Sequence, residues 1–304
     1  MKKLIVFISS LLYLLQAQEL ITPIPDKLDV NRDKVTLGKQ LYFDTRLSKD
    51  NSLNCASCHQ LENGGDDNMR VSIGIDGREG TINAPTVYNA TFNYYQFWNG
   101  RAKTLQEQAA GPIENPIEMG HKFEMLIPQL NKTEYKAKFE AIYQDGITKE
   151  NITDAIAEYE KTLITPNSPF DLYLKGNTNA LTQDELDGYE LFKTKGCIAC
   201  HHGVNIGGNL YNKFGIYRDS NSLDLGRYSV THKERDKYYF KVPSLRNVQR
   251  TAPYFHDGRT SKLDEAVRIM AQYQLGRKIT DEEVRKIVAF LKSLNGELPK
   301  GIEP

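Results

Sequence analysis

The sequence predicts a mainly α-helical fold built from two domains of one type. Three observations lead there. Apolar residues recur at helical spacing in the patterned segments, and no stretch alternates convincingly as a strand would. The chain has 304 residues, room for two domains with a core each. One local figure, a helix running into Cys-x-x-Cys-His, also occurs twice: "NCASCH" with Cys55, Cys58 and His59, and "GCIACH" with Cys197, Cys200 and His201.

Lys2 and Lys3, the apolar run Leu4 to Leu15 and the small Ala17 follow the order of a secretory signal, so residues 1–17 read as a signal peptide. The run is short of the ~20 residues a membrane span needs. The mature chain, residues 18–304, is therefore expected to be exported without stable membrane insertion. Residues 18–32, with "TPIPDKLDVNR", read as a surface arm. Leu37, Leu41 and Leu47 predict a helix over Val35 to Leu47 that leads into the first CxxCH. Residues 60–121 are rich in Gly, Asn and Pro, a long irregular segment of the kind that often carries function.

Further on, Ile152, Ile156, Tyr159 and Leu163 share a helical face. Thr165 to Asn179, with Pro166, Pro169 and Gly176, reads as a linker that divides the mature chain into residues 18–165 and 180–304. Thr182 and Glu185 form a capping box for a helix carrying Leu186, Tyr189 and Phe192, which leads into the second CxxCH. Ser261 precedes a helix with Leu263, Ala266, Val267 and Met270 on one face. Thr280 and Glu283 cap a last helix with Val284, Ile287, Val288 and Leu291, which stops at Asn295-Gly296. The segments between the repeated figures show little residue-level similarity.

The formal net charge is zero and the pI about 7.0, so no basic field exists for nucleic acid and that partner class is not expected. All four cysteines lie in the two CxxC units. As disulfides they would close loops too small to constrain the unfolded chain much. Zinc needs a fourth ligand, and none stands at zinc-finger spacing from either unit. CxxCH is instead the attachment signature of c-type haem. Thiols at i and i+3 share one helical face and can bond the two vinyl groups along one porphyrin edge. The next histidine is then carried under the iron. Two covalently bound c-type haems are expected, with His59 and His201 as iron ligands.

Longer stretches carry a more specific likeness: "GG..N...SIG", "NAPTVYNATFN", "QFWNGRAKTLQEQAAGPIENPIEM", "KGCIACHHGVNIGG", "PSLRNV..TAPYFHDGR" and "AVRIMAQYQLG". Over about Asp33 to Gly296 the chain resembles the bacterial dihaem cytochrome c peroxidases of the periplasm. The resemblance implies two cytochrome c-like helical domains, a homodimer and one calcium ion between the domains. It implies reduction of hydrogen peroxide by two electrons and two protons to two waters. The electrons come from a reduced small cytochrome c or a blue-copper protein (a cupredoxin).

The resemblance also implies roles for single residues. Met270 becomes the second axial ligand of the C-terminal haem; by periodicity alone it completes an apolar helix face and reads as core. Glu118 in "NPIEMG" matches an acid–base glutamate, and Gln108 matches a glutamine that orients peroxide. Without the likeness both read as surface residues. Trp98 matches a tryptophan between the haems, and otherwise reads as a core aromatic. His256 matches a residue near a haem edge, or serves as a structural histidine. Asn83, Thr251 and Pro253 match the calcium site, otherwise two turns.

The sequence departs from the family pattern at Ile75. Many members place there, after "SIG", a histidine that closes the N-terminal iron at rest. Residues 60–120 contain no histidine. The first haem is therefore expected to be held by His59 alone and open to peroxide. Met69, Met119 and His121 are the other side chains near enough in sequence to interfere; His121 reads as a polar loop residue. His202 reads as an exposed neighbour of His201, and His232 as solvated. Two other readings are a dihaem electron carrier without peroxidase activity and a dihaem oxidase of a protein substrate resembling the methylamine-utilisation enzyme. Glu118 with Gln108 argues against the first. Met270, where that enzyme has tyrosine, argues against the second.

Overall fold

The computed structural model describes residues 20–301, so the signal-peptide segment lies outside the described residues. Eleven α-helices appear among them: α1 Arg32–Tyr42, α2 Cys55–Cys58, α3 Leu105–Glu114, α4 Phe123–Leu130, α5 Tyr135–Ile142, α6 Lys149–Glu160, α7 Pro169–Leu174, α8 Gln183–Thr194, α9 Tyr228–Thr231, α10 Leu263–Tyr273 and α11 Asp281–Lys292. Among the described residues sheet is confined to one short antiparallel pair, β1 Tyr211–Lys213 and β2 Tyr239–Lys241, with Tyr211 opposite Lys241 and Asn212 opposite Phe240. The fold is mainly α, as the periodicities require.

Each half is organised by one helix crossing. In the first, α1 crosses α6 and buries Leu37 and Leu41 against Ile152, Ala155 and Ile156. A β-carbon on Gly38 would overlap the carbonyl oxygen of Ala155, so the two backbones touch and only glycine fits. In the second, α8 crosses α11, and a β-carbon on Gly188 would overlap the carbonyl of Lys286 in the same manner. Tyr189, Phe192, Ile287 and Phe290 fill the core beside it. Each such buried side chain contributes roughly 1.5–3 kcal/mol. The capping boxes at Thr182 and Glu185 and at Thr280 and Glu283 are both formed, which starts α8 and α11 where the sequence indicated.

Two segments differ from their sequence reading. Residues 20–24 are no loose arm: Ile21 and Ile24 are 1% and 0% exposed, Ile24 N–H bonds the Asp171 carboxylate, and Gly203 N–H bonds the Leu20 carbonyl. The polar, Pro-rich composition masked two apolar anchors. The stretch read as a linker contains α7, opened by a Ser168–Asp171 capping box with Pro169 at its first turn. Phe170 of α7 packs edge-on to Tyr189 and Phe290, at 4.8 and 5.0 Å between ring centres. Asp171 forms a fully buried ion pair with Arg246 at 2.7 Å.

The halves also share residue-level structure that sequence reading missed. Pro85-Thr86-Val87-Tyr88-Asn89 returns as Pro243-Ser244-Leu245-Arg246-Asn247, and Phe97-Trp98-Asn99-Gly100-Arg101 returns as Phe255-His256-Asp257-Gly258-Arg259. Every pair stands 158 positions apart, as Pro243 does from Pro85. The backbone repeats with it. Asn89 and Asn247 have φ of 61° and 59°, and Phe97 and Phe255 have 67° and 71°. A left-handed phenylalanine is rare enough for its recurrence to mark equivalence.

The two halves meet by exchanging equivalent bonds. Asn83 N–H donates to the His256 carbonyl, and its counterpart Lys241 N–H donates to the Trp98 carbonyl, each at 2.8 Å. At the pivot, Asn89 and Asn247 both donate their side-chain amides to the Thr165 hydroxyl, each at 2.8 Å.

Candidate active site

The first CxxCH forms the short helix α2. Asn54 caps it in a reciprocal box with Ser57 and anchors it to the Phe43 carbonyl at the end of α1. Tyr42, also at the end of α1, donates its hydroxyl to the His59 carbonyl at 2.8 Å. Thus the α1–α6 crossing fixes where His59 stands. His59 Nδ1 lies 3.2 Å from the Gly65 carbonyl, and His201 Nδ1 lies 3.3 Å from the Ile206 carbonyl. A carbonyl only accepts, so each Nδ1 carries the proton and each Nε2 keeps its lone pair. Burial lowers both imidazole pKa values, that of His201 to about 4. Two neutral, oriented imidazoles result, the form that ligates iron.

The four cysteines are unpaired. Burial raises the Cys58 and Cys197 thiols to about 11, so both are protonated thiols in the free chain. Among the described residues no group of three His, Cys, Asp or Glu side chains is placed to hold a metal ion. A haem fits where zinc does not. Cys197, Cys200 and His201 line an apolar cavity whose wall includes Phe192, Leu263 and Val267. Met270, half-buried on α10, lines the same cavity.

The same cavity is also lined from the first half, by residues at the seam. Trp98 and His256 line it with their rings 6.2 Å apart, edge to face. Trp98 Nε1 donates to the Asn83 carbonyl. His256 stacks on Phe240 at 4.1 Å and its Nε2 pairs with the Ser222 hydroxyl at 2.8 Å. Asn83, Thr251 and Pro253 line the same cavity.

The corresponding region of the first half is built differently. Carried along the helices, the 158-residue correspondence sets Met270 of α10 against Pro112 of α3. Proline offers iron nothing. Gln108 stands one turn before Pro112, and its side chain makes no hydrogen bond among the described residues. Phe97 packs on α3 at Gly111, and Arg101 stacks over the Phe97 ring at 3.3 Å.

Glu118 follows α3 in a tight loop. It is half-buried and accepts from Asn115 Nδ2 at 2.9 Å. Burial raises its pKa, and the nearby Arg101 charge and the Asn115 bond partly offset that. Its carboxylate is close enough to act electrostatically on Cys58. Arg101 is a member of this group that sequence reading missed; its position in a repeated Phe-x-x-Gly-Arg was the available signal.

Ile75 is 5% exposed and packs on the Glu118 loop, where its N–H bonds the Glu118 carbonyl at 2.9 Å. His121 has both ring nitrogens engaged, by Gln129 at 3.1 Å and Lys122 N–H at 2.8 Å, so neither is free for iron. Met119 is buried in the first core, and Met69 is exposed. His202 is half-buried rather than exposed, held by Asn209, while His232 is exposed.

Two haem-attachment sites in two like helical halves define a dihaem c-type cytochrome. The di-haem cytochrome c peroxidase family model matches residues 32–179, and the cytochrome c family model matches residues 186–295. The chain is similar to cytochrome c peroxidase Ccp of Escherichia coli (strain K12), 52% identical over 285 residues that cover 91% of this chain and 61% of that protein. It is 48% identical over 287 residues to cytochrome c551 peroxidase of Nitrosomonas europaea, covering 93% of this chain and 86% of the relative. A MauG-like protein associated with microbial copper homeostasis shares the fold with a TM-score of 0.79 at 26% identity, covering 91% and 93% of the two chains. The chain belongs to the bacterial dihaem cytochrome c peroxidase family, and its cofactors are two c-type haems.

Proposed function

We propose that the protein reduces hydrogen peroxide to two waters in the periplasm, using two electrons from a reduced small cytochrome c or cupredoxin. The carrying observation is that equivalent helix positions differ: Met270 in the second half, Pro112 beside Gln108 and Glu118 in the first. When bound, the haems supply iron that can take up peroxide on the open side and store an electron on the closed one. His59 and His201 would hold the irons through Nε2. Glu118, kept within the site by Asn115, takes the proton from one peroxide oxygen and returns it to the leaving oxygen. Gln108 has a free amide with which to orient peroxide. Ile75 supplies no ligand and leaves that face clear.

In this reading residues 18–165 form the peroxidatic domain and residues 180–304 the electron-accepting one, and Trp98 and His256 stand at their seam. No helix among the described residues is long and apolar enough to cross a membrane. A calcium ion suits Asn83, Thr251 and Pro253. No hydrogen bond among the described residues ends on Asn83 Oδ1 or on the carbonyls of Thr251 and Pro253. Asp66 lines the same cavity with one buried carboxylate oxygen lacking any partner, an arrangement suited to a hard cation or its waters. Assembly as a homodimer belongs to the same reading. Steady-state oxidation of a reduced small cytochrome c by peroxide, with holoenzyme carrying two haems per chain, tests the proposal. Sustained turnover supports it, and electron exchange without peroxide-dependent turnover would leave a carrier instead.

A further inference from the structure

Lys241 is 7% exposed, and its ammonium has no ion-pair or hydrogen-bond partner among the described residues. Burial alone lowers its pKa, to about 8. A buried cation left unpaired is strongly unfavourable, so such a group ordinarily has an anion or a ligand to meet. Lys241 lines the cavity that Cys197, Cys200 and His201 also line. Its own N–H is bonded to the Trp98 carbonyl, which places it at the seam.

The pseudo-symmetry adds an independent reason. Lys241 is the counterpart of Asn83, the side chain offered to calcium in the first half. Thus at equivalent positions one half has an oxygen donor suited to a bound cation, and the other carries a cation of its own.

We propose that the Lys241 ammonium is the built-in counter-ion of a propionate on the C-terminal haem and holds that haem's reduction potential up. A c-type haem brings two carboxylates, on the edge opposite its thioether bonds. Cys197, Cys200 and Lys241 line one cavity, so a haem tethered there would share it with the Lys241 side chain. A fixed positive charge there neutralises the propionate and disfavours the further positive charge of oxidised iron. The inference rests on the haem reading above.

The test is a redox titration of the holoenzyme followed optically, with covalent haem counted separately. Lys241→Met keeps the apolar stem and removes the charge, whereas Lys241→Arg keeps the charge. With two haems per chain, Lys241→Met is expected to shift the reduced-to-oxidised ratio of the C-terminal haem at least tenfold toward oxidised, 59 mV for a one-electron couple. Lys241→Arg stays within threefold of wild type. Should Lys241→Met fail to load haem, Lys241→Gln gives the same reading. An unchanged potential in a fully loaded neutral variant overturns the assignment. So does the reverse order, with methionine tolerated and arginine not, because that is the signature of packing. Fewer than two haems in the wild type would instead refute the haem reading itself.

Discussion

The two halves hold the CxxCH histidine alike and differ on a later helix. Both run a helix over a glycine crossing into CxxCH, and both fix Nδ1 of the histidine on a carbonyl a few residues downstream. Both close with a Phe-x-x-Gly-Arg turn whose phenylalanine is left-handed. They part on the next helix, where α10 offers Met270 and α3 offers Pro112, followed by the Glu118 loop. One scaffold can thus hold a cofactor identically twice and give it different chemistry by changing what faces the iron.

The sharpest way to break this comparison is Glu118→Gln. The account expects turnover to fall roughly 10²–10⁴-fold, the range for a positioned acid–base group, with both haems retained and the Met270 haem spectrum unchanged. Glu118 must be ionised to accept a proton, and burial raises its pKa above the ordinary 4.5. Activity should therefore fall as pH drops through a value higher than that of a solvated glutamate. That acid limb should vanish in Glu118→Gln. A variant with unchanged kcat would remove Glu118 from the chemistry.

The shared scaffold is probed at the crossings. Gly38→Ala and Gly188→Ala each force a methyl group into a facing carbonyl. Overpacking of this kind costs roughly 1–3 kcal/mol, more where backbone must move, read as a lower denaturation midpoint. If the halves are built alike, the two variants lose similar stability. A loss at one crossing only would show that the scaffolds are not equivalent.

An effect confined to a pH window distinguishes the first half. Glu160 is buried with one carboxylate oxygen unpartnered, and burial pushes its pKa up to about 8. The folded state then binds the proton more tightly than the unfolded state. Its contribution is fully present below about pH 4.5 and is lost as pH rises toward 8. Glu160→Gln should flatten that decline, on the order of a few kcal/mol across the window, in melts from pH 5 to 8. A wild-type stability that rises over this window, with Glu160→Gln parallel to it, would discard the assignment.

Much of this was legible in the chain itself. The paired CxxCH units, the Thr182 and Thr280 caps and the helical faces are local patterns, set by neighbours three or four residues away. What escaped reading is set across space. Gly38 and Gly188 look like ordinary helix glycines until Ala155 and Lys286 are seen against them. The 158-residue repeat is carried more by backbone conformation than by residue identity: Trp98 answers His256, and Asn83 answers Lys241. Ile21 and Ile24 were hidden by polar and proline neighbours. The capping box and Pro169 that start α7 were readable, but the prolines and glycine around them suggested a linker.

The central claim is that one iron is closed by Met270 while its counterpart, facing Pro112 and Ile75, is left open. Spin-resonance spectra of the fully oxidised holoenzyme address it directly. The account predicts one low-spin haem with histidine–methionine ligation and one high-spin haem, in equal amounts. Two low-spin haems in the wild type would contradict it.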